Sequence, residues 1–161
     1  MTMRSPRLEP VARCNDVLGD LIHARRVSPR RKPMVVRVVR LGSPRAADEG
    51  TRVGTVRRPP RGVPRTEFAS RDWYDVWFPN LAPSLKTMKL GQAATTPGQW
   101  SAFKKRYRSE MVTPENLHAI ELLAALSHGT NFSVGCYCES EQNCHRSVLR
   151  ALLVEKGASV K

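Results

Sequence analysis

The sequence predicts an α/β fold: three layers, with a mostly parallel sheet flanked by helices in a single small domain. Three observations predict it. Strand-like and helix-like segments alternate along the chain, a pattern that a sheet covered by helices satisfies. The 161 residues suffice for one ordinary domain and not for two comfortable ones. The last strand signal passes through a polar turn into an apolar-faced helix, a connection typical of parallel sheets.

Residues 1–33 read differently from the rest. They hold eight basic and three acidic residues, four prolines and no aromatic residue. Two readings compete: a basic arm for nucleic acid, or disordered padding upstream of a start at Met34. The abrupt onset of regular patterning at Met34 favours padding. The α/β domain is therefore expected over 34–161, after an N-terminal extension of 1–33.

Met34 to Leu41 is rich in β-branched residues and bounded by Pro33 and Gly42, which predicts a strand. Arg52 to Arg57 predicts a second, and Trp73 to Phe78 a third, ended by Pro79. Between the last two, Arg58 to Arg65 carries three prolines, a glycine and three arginines, the composition of a stiff loop. Ser84 to Leu90 predicts a short helix. Thr96-Pro97 is a helix start, with Thr as N-cap and Pro at the first helical position. Trp100, Phe103, Tyr107 and Met111 then share one face at helical spacing. Thr113-Pro114 repeats the start signal, with Leu117, Ile120, Leu123 and Leu126 as its buried stripe and Gly129 as its stop. Phe132 to Cys138 predicts a buried strand. His145 to Lys156 predicts the final helix, with Val148, Leu149, Leu152 and Leu153 turned inward and Gly157 after it.

The formal charge is +13, from 27 Lys and Arg against 14 Asp and Glu. Much of it is arginine, which suits two-pronged contact with phosphate. The first partner to expect is a phosphate-bearing small molecule or nucleic acid; the bland alternative is a solvated basic surface. No apolar run approaches the roughly 18 residues needed to span a bilayer, so no membrane partner is expected. Three of the four cysteines fall within nine residues. A disulfide framework would spread them out, so a reducing compartment, the cytoplasm, is expected. Oligomeric state leaves no signal.

The candidate site lies in Gly135 to Leu153, GCYCESEQNCHRSVLRALL. Asn143 is the expected N-cap, placing Cys144, His145 and Arg146 in the first helical turn, where free N–H groups and the helix dipole favour negative charge. Three readings arise. In the first, Cys144 is a nucleophile of lowered pKa, His145 its acid/base partner and Arg146 an anion clamp, with Cys136 among the ligand-binding residues and no cofactor. In the second, Cys136, Cys138, Cys144 and His145 bind zinc, although C-x-C-x5-C-H matches no common finger or ribbon. In the third, the cysteines are small buried hydrophobes. No cysteine stands six residues before Arg146, which excludes a phosphatase loop. P-loop, G-x-G-x-x-G and H-E-x-x-H patterns are absent. Arg57 and Arg61 follow the second strand in a proline-stiffened loop. If that strand and the last are parallel neighbours, both arginines would share a rim with Cys144 and hold an anion there.

These segments resemble a known family. Thr55-Val56-Arg57-Arg58-Pro59-Pro60-Arg61 is similar to the Asp-Val-Arg-x-x-Pro-Arg pattern of the domain-of-unknown-function 488 proteins. Cys136-Tyr137-Cys138 followed by Cys144-His145-Arg146 is similar to their Cys-x-Glu and Cys-His-Arg. Trp77, Leu81-Ala82-Pro83-Ser84 and the W-x-x-F-x-x-x-Y helix from Trp100 to Tyr107 resemble one branch. The resemblance runs from about Met34 to Gly157. It implies a three-layer α/β domain, bacterial and cytosolic, with ties to nucleotide or nucleic-acid processing, and it supplies no reaction. Two departures stand out: Thr55 replaces the Asp, and Cys138 replaces the Glu, with Glu139 adjacent.

Overall fold

The computed structural model describes residues 33–161; the reading of the extension lies almost wholly outside them. Four strands, β1 (Val36–Arg40), β2 (Thr51–Gly54), β3 (Val76–Trp77) and β4 (Phe132–Cys136), form one sheet in the order β1-β4-β2-β3. Every pairing is parallel. Four helices accompany them: α1 (Leu85–Ala93), α2 (Pro97–Met111), α3 (Pro114–Leu126) and α4 (His145–Glu155). This is the three-layer α/β fold that the sequence predicts.

The pleat sorts the core. Val36 lies opposite Phe132, and Val38 and Val53 opposite Val134. This apolar face packs against Tyr107 and Met111 of α2, Ile120 of α3, and Val148, Leu149, Leu152 and Leu153 of α4. The alternate residues Arg37, Arg52 and Ser133 point the other way, onto a layer of connecting segments rather than helices. There the Arg52 guanidinium is fully buried. It donates to both Glu49 oxygens at 2.6 and 2.9 Å and to the carbonyls of Ser43 and Asp72. Ser133 Oγ donates to the same carboxylate at 2.7 Å. The carbonyls and carboxylate thus use four of the five guanidinium N–H groups, the condition under which a buried charge is tolerated.

The helix starts follow the sequence closely. Thr96 accepts from the Gln99 amide and the Gln99 side chain reaches back, a complete capping box with Pro97 behind it. Ser84 accepts from the Thr87 amide and caps α1.

Several boundaries differ. β1 begins two residues late and β2 stops at Gly54. Of the predicted third strand only Val76 and Trp77 pair, because β3 is an edge that Pro79 cuts short. The buried stripe of α3 runs through Ile120 and Ala124; Leu126 is exposed, and the helix ends there, before Gly129. On α2 Phe103, Tyr107 and Met111 are buried, while Trp100 is half-buried. Two glycines allow the far layer to close on the sheet. A Cβ at Gly54 would sit 2.4 Å from the Tyr74 ring, and one at Gly135 would sit 2.5 Å from Leu41 Cδ2.

Candidate functional site at one rim of the sheet

Gly54 lies opposite Gly135 in parallel register. Both strands therefore deliver their following loops to the same rim, the carboxyl end, where open α/β sheets bind ligands. One loop is the arginine stretch after Thr55; the other is the cysteine turn between β4 and α4. Between them opens a cleft of about 1060 Å³. Arg40, Arg57, Arg58 and Arg61 line it together with Trp73, Trp100 and Phe103, and Cys136, Cys138 and His145 form part of its wall.

The turn places three sulfurs together. β4 carries Cys136 to the rim, and the chain folds back so that Cys138 Sγ lies 3.8 Å from Cys136 Sγ. Cys144 closes the set, and all three sulfurs lie within 4.8 Å of one another. Helix α4 starts at His145 as the sequence suggests, so its N-cap is Cys144 and not Asn143. The Cys144 side chain makes no capping hydrogen bond, so the sulfur is free to face the cluster. Cys138 is exposed, whereas Cys136 and Cys144 are buried.

The sulfurs share charge unequally. Hydrogen bonding from the Cys136 thiol, and then the Cys144 thiol, holds Cys138 well below the ordinary thiol range, and the nearby Arg146 charge works in the same direction. The same sulfur-to-sulfur bonds, with burial, push Cys136 far up. Cys144 is lowered, first by its bond with Cys136.

His145 is 4 % exposed. Its Nε2 donates to the Thr55 carbonyl at 2.9 Å, a partner that can only accept, and its Nδ1 lies 3.7 Å from Cys144 Sγ. The Tyr107 ring meets its edge, with ring centroids 5.2 Å apart. Thr55 is itself fully buried, with its hydroxyl on the Gly135 carbonyl. These bonds tie the start of α4 to the ends of β2 and β4.

The arginines divide into two kinds. Arg57 turns away from an anion-binding pose: it donates to the Ala82 and Pro83 carbonyls at 2.6 and 3.0 Å. It thereby anchors the arginine loop to the segment that leads into α1. Arg146, expected as an anion clamp, is 3 % exposed. Its Nη2 donates to the carbonyls of Cys138 and Glu139, and its Nε is buried without a partner. It therefore latches the cysteine turn from behind. Arg58 and Arg61 are exposed on the cleft, and among the described residues their guanidinium groups have no hydrogen-bond or ion-pair partner. Arg40 is partly engaged by Glu139 at 3.3 Å.

The structure thus brings Cys136, Cys138, His145, Arg57 and Arg61 to one cleft and sets Cys144 and Arg146 just behind its wall. Sequence reasoning passed over Arg58 and Trp73. Arg57 and Arg58 lie beyond the end of β2, where no strand alternation says which side chain turns inward. Trp73 packs edge-on against Tyr137, with centroids 5.5 Å apart, and so joins the cleft wall to the cysteine turn.

Fold and site together define a small parallel α/β domain with a sulfur cluster and free arginines at the carboxyl rim of its sheet. A family model described as the Active DUF488-N3 subclade matches residues 36–157, and the chain belongs to this DUF488 family. No curated protein and no solved structure matches it.

Proposed function

We propose that the cleft takes a phosphate-bearing ligand, a nucleotide or the end of a nucleic acid, and presents it to the sulfur cluster for reaction. The observation that carries this is the pair of unpartnered guanidinium groups, Arg58 and Arg61, on the same cleft as Cys138. Arginines held close together repel one another, and a planar anion relieves that repulsion with two-pronged hydrogen bonds. The prolines at 59, 60 and 64 hold the loop in place before any ligand arrives, which lowers the entropy cost of binding. The half-buried Trp73 and Trp100 on the cleft wall suit a flat base. The reacting pole is sulfur: Cys138 reaches the ligand, with Cys144 and His145 behind it.

Three free thiols packed together support a reducing compartment, the cytoplasm. Among the described residues no helix is long and apolar enough to cross a membrane.

Calorimetric titration with nucleoside mono-, di- and triphosphates and a short single-stranded oligonucleotide tests the reading. Arg58→Ala and Arg61→Ala should each weaken the best ligand by roughly tenfold, the loss of about one charged hydrogen-bonding group. Lys105→Ala, which removes the same charge from an exposed position away from the cleft, should leave affinity within about twofold. Absence of binding by the whole panel at low salt would sink the proposal.

A further inference from the structure

We propose that Cys136, Cys138 and Cys144 hold a zinc-class divalent ion through three thiolates, leaving its fourth coordination position open to the cleft. The inference deepens the ligand reading by naming the reacting pole, yet its test does not depend on any nucleotide binding.

Distances come first. Zinc–sulfur bonds of about 2.3 Å in tetrahedral geometry set neighbouring sulfurs about 3.8 Å apart. The Cys136 and Cys138 sulfurs already stand 3.8 Å apart. With all three sulfurs inside 4.8 Å, closing the remaining edges takes shifts of at most about 1 Å. The two positions in Cys-x-Cys achieve this because β4 ends at Cys136, so Cys138 lies beyond the strand and is not bound to its two-residue alternation.

Chemistry comes next. Thiols are weak donors and weak acceptors, so three of them packed against one another gain little as thiols. As thiolates they form a soft donor set that selects zinc over hard ions. No carboxylate and no imidazole nitrogen joins the cluster among the described residues. Three thiolates around a divalent ion leave one net negative charge. The buried Arg146 guanidinium stands behind Cys138 with an unpartnered Nε, and the N-terminus of α4 begins at Cys144. Both are suited to balance that charge.

Three protein ligands rather than four is the arrangement of zinc sites that keep a working position; structural zinc is closed by a fourth. His145, the residue that would close the sequence-predicted set of four, is held elsewhere by Thr55. Its Nδ1 lies 3.7 Å from Cys144 Sγ and outside the set of three sulfurs. Cys136 and Cys138 line the cleft while Cys144 lies beneath, so the unfilled side faces the space between the arginine loop and the aromatic wall.

The test uses the full chain, reduced, stripped with a chelator and titrated with cobalt(II), then with zinc(II). One cobalt per chain is expected, with an intense thiolate-to-cobalt charge-transfer band that stoichiometric zinc abolishes. Cys138→Ser, at an exposed position that folding tolerates, should lower cobalt affinity by more than roughly tenfold and weaken the band. Lys105→Ala, at an exposed position away from the cleft, should change neither, and Arg61→Ala should keep the cobalt spectrum even where it loses nucleotide binding. Added azide should shift the cobalt ligand-field bands if the fourth position is open; an unmoved spectrum would overturn that part. A chain that takes up no cobalt, or takes it up equally well as Cys138→Ser, overturns the site. Circular dichroism of each variant separates lost binding from lost folding.

Discussion

Replacing Arg146 with Met separates a latch from a clamp. Methionine keeps much of the volume and removes the charge. The structure gives Arg146 two bonds, at 2.6 Å to the Cys138 carbonyl and 3.3 Å to the Glu139 carbonyl, and leaves its Nε without a partner. The short bond is worth about 1.5–3 kcal/mol as a charged hydrogen bond, and the long one less. Against this stands the relief of a buried guanidinium that faces no carboxylate. Because Cys138 and Glu139 are exposed, water can reach their carbonyls once the guanidinium is gone. The net loss is therefore about 2 kcal/mol, which for a domain of this size lowers Tm by roughly 8 °C. Thermal unfolding followed by circular dichroism measures it. Ligand affinity should fall far less than in Arg61→Ala, because Arg146 does not line the cleft. If Arg146→Met melts within about 2 °C of the wild type while anion binding collapses, the guanidinium is a clamp and the latch is wrong.

Arg52→Ala should be more severe. It strands the Glu49 carboxylate, whose side chain is 3 % exposed, at a cost of about 3–5 kcal/mol; Glu49→Gln combined with Arg52→Met should recover much of the loss in urea unfolding. Gly135→Ala drives a methyl into Leu41 and should cost about 1–3 kcal/mol by overpacking, read as a shift in the urea midpoint with unchanged slope. The acid limb of stability should carry a signature of Glu110. Burial raises its pKa, but hydrogen bonds from Ser84 and Thr87 outweigh that and lower it below the ordinary carboxylate value. Its contribution is then present above the unfolded pKa of about 4.3 and is lost as pH falls through the folded one. A Glu110→Gln variant should start less stable at pH 7 and lose less between about pH 5 and 3; parallel curves would exclude the assignment.

Much of the frame was legible because local signals agreed with the fold. Thr96-Pro97 specified a helix start, which the structure completes with a capping box from Gln99. The uninterrupted burial of β4 matches a central strand covered on both faces. What the sequence hid depends on direction. Periodicity cannot say that the far face of the sheet would be closed by loops around a buried Arg52–Glu49 pair, because those residues read as solvated charges. Nor can it say that Arg57 would turn to carbonyls while Arg58 stays free, or that Arg146 would point inward. The sulfur cluster was visible as composition only. Its geometry depends on how the turn between Cys136 and Cys144 folds back, and spacing does not encode that.

The two departures from the family pattern acquire a physical reading once this rim is built. Position 55 is fully buried, with its side chain against the Gly135 carbonyl and its own carbonyl taking the His145 proton donor. A carboxylate there would face a carbonyl oxygen in a dry site, and only an ionised His145 would offset it. Threonine instead donates to that oxygen and carries no charge. At position 138 a sulfur stands where the pattern has a carboxylate, and it completes the set of three inside 4.8 Å. Each change removes a hard oxygen anion from beside the last helix. The three sulfurs that remain are backed by Arg146 and the start of α4. In the proposed reading, the free arginines across the cleft would then meet the ligand's own charge rather than that of a protein carboxylate.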